Sequence, residues 1–292
     1  MMTRRNVLVF CALACGSALA QNNYQFVPNI AYGTAPDLQG NQVTLRLDLY
    51  IPNGAVDPTP CVIWIHGGAW QNGSRFPTPA SDFANHGYAV ASISYRLSSQ
   101  NEWPSQLHDC RGAVRWLRAN ASTYNLDPDR FGAIGTSAGG HLSNMLGVTG
   151  GLEQAQIGQL TVNLEGAVGG NLGESSEVQA VVDWYGPTDV LRMSQFPSSM
   201  SHDAPNSPES VILGQLLQSN PEDADSLSPV TYLWPGAPPT AVVHGTSDAT
   251  IPYEQSYFFW RRAVSTFGLD YSFESVPFAG HGGPSFDIGD AR

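Results

Sequence analysis

The sequence predicts one α/β domain, in which helices cover both faces of a mostly parallel central sheet. Three observations support this prediction. With 292 residues, of which 42% are hydrophobic and 13% charged, one domain can bury a large core. From about residue 42 onward, strand-like and helix-like patterns alternate. Most of the strand-like segments are short apolar runs, which are typical of parallel strands buried on both faces.

Seven segments are predicted to be strands. Residues 42–51 alternate apolar and polar side chains and are expected to form an early antiparallel edge strand. Residues 271–276 are expected to close the sheet. The buried parallel strands between them are predicted at 61–65, 88–95, 130–135, 180–185 and 240–244.

The clearest helix is predicted over 104–120. This segment has proline in its first turn and places Leu107, Cys110, Val114 and Leu117 at helical spacing. Two further helices are predicted at 137–146 and 253–267. Segments rich in glycine, serine, proline and asparagine are expected to be loops over one end of the sheet that line a site, at 150–177 and 192–209.

The charge of the chain limits its partners. The formal net charge is −12, so nucleic acids and anionic membrane surfaces are not expected to bind. All 13 basic residues are arginine, which excludes Schiff-base chemistry through lysine. A neutral or sugar-like small molecule is the expected substrate, and the oligomeric state is not predicted.

The N-terminus, residues 1–20, has the plan of a secretory signal peptide. Arg4 and Arg5 precede an apolar run at 7–14, and small residues end the segment. We expect the mature chain to begin near Gln21, to comprise a single catalytic domain over 21–292, and to be secreted. A short membrane anchor is an alternative, although the apolar run is short for a bilayer. Cys15 leaves a lipid-attached protein as a second alternative.

Two cysteines remain after this segment is removed. Cys61 opens a predicted strand and Cys110 lies early in a predicted helix. In a right-handed crossover these positions lie towards opposite ends of the layer. We therefore predict two buried free thiols rather than a disulfide.

Ser137 is the candidate nucleophile. It stands in the pattern Gly-x-Ser-x-Gly at 135–139, after a predicted strand and before a predicted helix, where a sharp turn raises a serine hydroxyl above the sheet. Glycines allow the tight turn, and the helix N-terminus presents N–H groups to developing negative charge. Since the pattern alone is a weak signal in a glycine-rich chain, it needs partners.

The first partner is a glycine-containing loop at 66–70, directly after the strand CVIWI. Such a loop supplies backbone N–H groups that stabilise the oxyanion of a tetrahedral intermediate. The predicted donors are the N–H groups of Gly68, Ala69 and Ala138. His66 is expected to be structural, with its ring bonded to the loop backbone. The aromatic side chains expected to contact the substrate are Trp70 and Tyr185.

The other partners follow in the order nucleophile, acid, histidine. Asp248 comes after the strand TAVVH, and His281 lies between glycines after the last strand. His281 is predicted to transfer protons to and from Ser137, while Asp248 fixes its tautomer. Asp183 is an alternative acid, although it falls one strand earlier than usual.

No metal site and no cofactor are predicted. The other histidines show no ligand spacing with cysteines or carboxylates. They are His86, His108, His141, His202 and His244.

With these residues identified, the chain resembles the esterase/lipase branch of the α/β hydrolases. It is similar to the hormone-sensitive-lipase-like carboxylesterases and, more closely, to the BD-FAE group, named for a bifunctional feruloyl esterase domain. The likeness extends from about Thr44 to His281. It is carried by the runs LDLYIP, WIHGGAW, WPSQLHDCRGAVRWLRANA, LDPDRFGAIGTSAGGHL, VVDWYGPTD, LSPVTYL and VVHGTSDATIPYEQS.

The resemblance implies an α/β-hydrolase fold and a serine carboxylesterase that works through an acyl-enzyme, with Ser137, Asp248 and His281 as its triad. Acetyl or feruloyl esters of plant polysaccharide are the first expected substrates. A lipase, an amidase or peptidase of the same fold, and a non-catalytic binding module remain alternatives.

The chain departs from the family pattern in two ways. Few residues precede the first predicted strand, so we expect little or no cap and an open cleft that admits bulky or polymer-attached esters. Only 11 residues follow His281, whereas the family has a final helix there. We therefore expect this helix to be incomplete, which would weaken the support of His281.

Overall fold

The structure is a computed structural model that describes residues 23–283 and Phe286. The predicted signal segment 1–20 lies outside the described residues. The region in which the final helix was expected also lies almost entirely outside them, so neither expectation is tested.

Ten strands and five α-helices form the described chain. The strands are β1 (Tyr24–Pro36), β2 (Gln42–Pro52), β3 (Thr59–Ile65), β4 (Ala89–Ile93), β5 (Leu126–Thr136), β6 (Gln154–Ile157), β7 (Leu160–Asn163), β8 (Ala180–Trp184), β9 (Thr240–Gly245) and β10 (Tyr271–Val276). The α-helices are α1 (Ser105–Ala119), α2 (Ala138–Val148), α3 (Pro208–Leu213), α4 (Pro221–Ser226) and α5 (Tyr253–Phe267). Short 3-10 helices occur at Pro79–His86, Ala121–Thr123, Val190–Gln195, Leu217–Ser219 and Pro229–Tyr232. None of the helices in the described ranges combines the length and the apolar character needed to cross a lipid bilayer.

Eight of the strands form the central sheet. Their order is β1-β2-β4-β3-β5-β8-β9-β10. β2 pairs antiparallel with both β1 and β4, and the pairs from β4 to β10 are all parallel. The predicted mostly parallel sheet is therefore confirmed, and each predicted strand is present with small differences at its ends.

β1 is a strand that the sequence did not predict. It pairs with β2 along its length, so residues 42–51 form an inner strand and the prediction of an edge strand there was wrong. The register shifts between Val27 and Ile30 and again between Ala31 and Gly33. These irregularities break the alternation of exposed and buried side chains by which a strand is recognised.

The two faces of the sheet are covered unequally. Ile63 and Ile65 point to one face, where they pack with buried residues of α1, α2 and α5. Trp64 and Ile134 point to the other face and pack against the 3-10 helix Pro79–His86. Helical turns thus lie on both faces, but within the described residues the longer helices pack into the same core cluster.

The segment 150–177 does not line the cleft, contrary to the prediction. It contains the hairpin β6–β7, and Glu165 forms ion pairs with Arg111 and Arg115 of α1. Gly169 packs closely against the backbone of Tyr32 in β1. Because these contacts hold the segment on α1 and β1, only the second predicted loop, 192–209, reaches the site described below.

The prediction of two buried free thiols is confirmed. Cys61 and Cys110 are both buried and neither is in a disulfide. Burial raises the pKa of Cys61 to about 12, so this thiol stays protonated at neutral pH.

Candidate active site

Ser137 occupies a strained turn between β5 and α2. Its φ of 54° and ψ of −120° lie in a region that side chains rarely adopt. A Cβ added to Gly135 would lie 2.3 Å from the carbonyl carbon of Gly139, and one on Gly139 would lie 2.0 Å from the oxygen of Ile65. The turn therefore depends on glycine at both positions.

Ser137, His281 and Asp248 form a continuous hydrogen-bonded chain. The Oγ of Ser137 lies 2.9 Å from Nε2 of His281, and Nδ1 of His281 lies 2.7 Å from Oδ2 of Asp248. Three residues that are far apart in sequence thus meet with nucleophile–base and base–acid geometry.

Asp248 is buried and fully supplied with hydrogen-bond donors. Its Oδ1 accepts from the backbone N–H groups of Thr250 and Ile251, at 2.8 and 3.0 Å. Burial raises the pKa of Asp248, but hydrogen bonds from His244 and His281 outweigh burial and hold it well below its usual range. The ionised carboxylate keeps a proton on Nδ1 of His281, which leaves Nε2 to accept the proton of Ser137.

His244 is a contributor that the sequence analysis missed. Its Nε2 lies 3.2 Å from Oδ2 of Asp248, and its Nδ1 lies 2.7 Å from Oγ of Ser256. The ring is buried at the end of β9, four residues before Asp248. We infer that His244 positions the carboxylate, and the signal in the sequence was its place at a strand end beside the candidate acid.

Replacing His244 by phenylalanine keeps a ring in place but removes one donor to Asp248. We expect kcat for p-nitrophenyl acetate to fall by about 10-fold, the scale of one hydrogen bond to a charged group, with KM unchanged. Steady-state kinetics measure kcat and KM separately. His86→Phe changes an exposed histidine and is the control. Equal kcat values for the two variants would show that His244 does not act through Asp248.

The loop after β3 adopts a conformation that directs its backbone into the site. Gly68, Ala69 and Trp70 have φ values of 110°, 55° and 56°. A Cβ at Gly68 would lie 2.4 Å from the carbonyl oxygen of Asn72, so only glycine is accommodated there.

The predicted oxyanion donors have free N–H groups. Among the described residues, the backbone N–H groups of Gly68, Ala69 and Ala138 have no hydrogen-bond acceptor. Ala69 and Ala138 line the same cleft as Ser137, whereas Gly68 lies outside the cleft lining. Two of the three predicted donors are thus placed beside the nucleophile.

His66 holds this loop, as predicted. Its Nδ1 lies 2.8 Å from the oxygen of Gly67, and its ring stacks on Tyr95 with the ring centres 4.3 Å apart. The hydroxyl of Tyr95 donates to the carbonyl oxygen of His66 at 3.0 Å. Burial lowers the pKa of His66, which favours the neutral ring.

The cleft beside Ser137 encloses about 30 Å³, roughly the share of liquid volume of one water molecule. Part of its lining comes from the turn at Ser137 and from the loop 66–70, which we call the oxyanion loop. The other lining residues come mainly from the connection between β8 and β9, which carries α3 and α4. The lining residues outside the oxyanion loop and the Ser137 turn are Pro187, Met200, His202, Pro208, Glu209, Thr250 and Ile251.

The two predicted substrate contacts have different positions. Trp70 lines the cleft, and its indole N–H donates to Nδ1 of the buried His141 at 3.3 Å. Tyr185 is not among the cleft-lining residues, and neither is His281, so a substrate contact of Tyr185 stays a prediction. Its ring packs edge-on against His281, with the ring centres 4.8 Å apart. The side chain that follows β8 thus contacts the candidate base.

Asp183, the alternative acid, forms hydrogen bonds with Gly186 and Asn144. Its Oδ1 accepts from the N–H of Gly186 and its Oδ2 accepts from the amide of Asn144, both at 2.8 Å. Burial raises the pKa of Asp183 to about 6. Asp183 therefore fastens β8 to α2, and Asp248 is the carboxylate that contacts His281.

Metal ligation has no support in the part of the chain that the structure describes. Within residues 23–283 and at Phe286, no three histidine, cysteine or carboxylate side chains are grouped closely enough to hold a metal ion. The chemistry proposed below uses only the side chains and backbone of the chain.

Comparison with known proteins identifies the family. The BD-FAE family profile matches residues 47–262. The chain belongs to the BD-FAE family. Esterase LipC of Mycobacterium tuberculosis is 32% identical over 277 residues, which are 94% of this chain and 63% of LipC. The carboxylic ester hydrolase LipM, described as probable, of the same organism is 30% identical, over 92% of this chain and 58% of LipM. This BD-FAE chain thus spans about three fifths of these relatives.

Solved structures show the same fold. A truncated carbohydrate esterase from gut microbiota has a TM-score of 0.78 and 32% identity, over 90% of this chain and 91% of that one. A bifunctional GH43-CE protein of Bacteroides eggerthii has a TM-score of 0.79 and 35% identity, over 88% of this chain and 35% of that one. The predicted α/β-hydrolase fold is confirmed.

Proposed function

We propose that this BD-FAE chain is a serine carboxylesterase. The similar proteins named above as esterases and carboxylic ester hydrolases support an ester-hydrolysing enzyme, as the sequence predicted. The observation that carries the proposal is the hydrogen-bonded chain of Ser137, His281 and Asp248, whose Ser137 shares a cleft with the unpaired N–H groups of Ala69 and Ala138.

In the first half of the reaction, Ser137 Oγ attacks the ester carbonyl carbon while His281 Nε2 takes the hydroxyl proton. The carbonyl electrons move to oxygen, and the N–H groups of Ala69 and Ala138 donate to that oxyanion. When the tetrahedral intermediate collapses, the C–O bond to the alcohol breaks and His281 protonates the leaving alkoxide. The acyl group remains on Ser137.

In the second half, water replaces the alcohol. His281 takes a proton from water as its oxygen attacks the acyl carbon, and the same N–H groups stabilise the second oxyanion. Collapse breaks the bond to Ser137 Oγ, which receives the proton from His281, and the carboxylic acid leaves. Asp248 stays ionised throughout and stabilises the imidazolium.

Labelling with a fluorophosphonate tests the nucleophile directly, because such probes phosphonylate activated serines. We expect one label per chain, located on Ser137 by peptide mass spectrometry, together with loss of p-nitrophenyl acetate hydrolysis. The exposed Ser272 of β10 is the internal control and should stay unlabelled. A chain that remains unlabelled and inactive would contradict the proposal and favour the non-catalytic binding module.

The proposed substrates are acetyl or feruloyl esters of plant polysaccharide. The similar carbohydrate esterase from gut microbiota supports a sugar ester, as does an acidic surface that repels anionic substrates. Release of acetate from acetylated xylan and of ferulate from methyl ferulate compares the two acyl groups. Long-chain p-nitrophenyl esters and anilides test lipase and amidase activity, and a preference for either would overturn the sugar-ester proposal.

We also propose that the protein is secreted, on the basis of the signal-like segment 1–20. Expression of the full chain in a bacterial host with a general secretory pathway should yield exported protein whose first residue is Gln21. Retention of Met1 in the purified protein would contradict this proposal.

A further inference from the structure

His202 and Glu209 form a buried pair in the lining of the cleft that contains Ser137. Both side chains are buried, at 0% and 1% exposure, and both line the cleft. Nδ1 of His202 lies 3.1 Å from Oε1 of Glu209. Neither residue has a part in the chemistry described above.

The ring of His202 is bonded on both sides. Its Nε2 lies 3.1 Å from the carbonyl oxygen of Thr250 and 3.0 Å from Oγ of Ser198, so both ring nitrogens have hydrogen-bond partners. Burial alone would lower the pKa of His202, but the hydrogen bond and charge of Glu209 raise it overall. Glu209 therefore favours the protonated form of the His202 ring.

The two side-chain oxygens of Glu209 differ in their hydrogen bonds. Oε1 of Glu209 is bonded to His202, whereas the buried Oε2 has no hydrogen-bond partner among the described residues. A buried acceptor without a donor is costly, and more so when it carries charge. Such an oxygen in the wall of a substrate cleft is suited to a donor that arrives with the substrate.

The size of the cleft and the charge near Glu209 determine which hydrogen-bond donor can bind to Oε2. The cleft encloses about 30 Å³, which suits a group as small as a hydroxyl. The raised pKa of His202 favours positive charge on its ring, which disfavours a cation beside Glu209, so a neutral donor is preferred. We propose that Oε2 of Glu209 accepts a hydrogen bond from a hydroxyl group on the alcohol part of the ester, so that Glu209 selects esters of polyols.

This inference rests on the proposed esterase function, and a matched pair of substrates separates the two. 1-Acetylglycerol carries two hydroxyl groups, and propyl acetate has the same acyl group and carbon chain without them. We expect the wild-type kcat/KM to be about 10-fold or more higher for 1-acetylglycerol, the scale of a hydrogen bond to a charged group.

Glu209→Gln replaces the acceptor by an amide of the same shape. The ratio of the two kcat/KM values should fall towards one, whereas a purely structural role would lower both values together and leave the ratio unchanged. Glu274→Gln removes an exposed carboxylate on β10 and should keep the wild-type ratio.

The outcomes are distinct. If the wild type hydrolyses neither ester, the proposed function fails and the inference fails with it. If it hydrolyses both with a ratio near one, the inference about Glu209 alone fails, and this result does not depend on whether Glu209→Gln folds. An unchanged ratio in folded Glu209→Gln would also overturn it.

Discussion

Ser137→Ala is expected to lower kcat for p-nitrophenyl acetate by about 10⁴-fold or more while the fold is retained. The variant loses the atom that carries the acyl group, so the two-step route through an acyl-enzyme is closed. Residual turnover would come from the oxyanion donors and from binding alone. Initial rates with a short p-nitrophenyl ester measure the loss, and circular dichroism checks the fold.

The matched control for this substitution is Ser272→Ala. Ser272 is an exposed serine on β10, so its variant should keep the wild-type rate. Retained activity in a folded Ser137→Ala protein would refute the acyl-enzyme mechanism, whatever the substrate proves to be.

Gly135→Ala is expected to have the second large effect, on stability as well as on activity. The new Cβ would lie 2.3 Å from the carbonyl carbon of Gly139 and 2.7 Å from the carbonyl oxygen of Ile65, and neither is a flexible side chain. The turn must shift, which we expect to lower the free energy of unfolding by about 1–3 kcal/mol. A displacement of about 1 Å at Ser137 would lower kcat by about 10²-fold.

Gly132→Ala is the control on the same strand. A Cβ at Gly132 would have its nearest neighbour, the carbonyl oxygen of Ala180, at an ordinary 3.6 Å. Thermal unfolding and esterase rates of the two variants should therefore differ clearly. Equal melting temperatures would show that the backbone around Ser137 adapts more easily than the contacts of Gly135 indicate.

The parts of the fold that the sequence predicted are those with a strong local signal. The apolar runs at β3, β5 and β9 and the spacing in α1 each reflect burial on a fixed face, which is visible in the residues themselves. β1 was missed because its bulges break the two-residue period. The path of the segment 150–177 was missed because the ion pairs of Glu165 with α1 join residues about 50 positions apart.

The residues of the candidate site also differ in whether the sequence carries a local signal for them. Ser137, Asp248 and His281, which the structure joins by hydrogen bonds, could be proposed together because each follows a strand and they occur in the required order. The packing of Tyr185 against His281 depends on a backbone φ of 48° at Tyr185, which no sequence pattern reveals. His202 and Glu209 lie in an irregular connection, where the sequence has no periodicity to indicate which side chains face inward.

Thr250 connects two parts of the site that have been described separately. Its N–H donates to Asp248, and its carbonyl oxygen accepts from His202. One peptide segment thus fixes both the acid and the wall that carries Glu209. Insertions or deletions in residues 248–251 would therefore alter substrate choice and turnover together. We expect specificity within this scaffold to diverge instead through the connection that carries α3, while residues 248–251 stay constant.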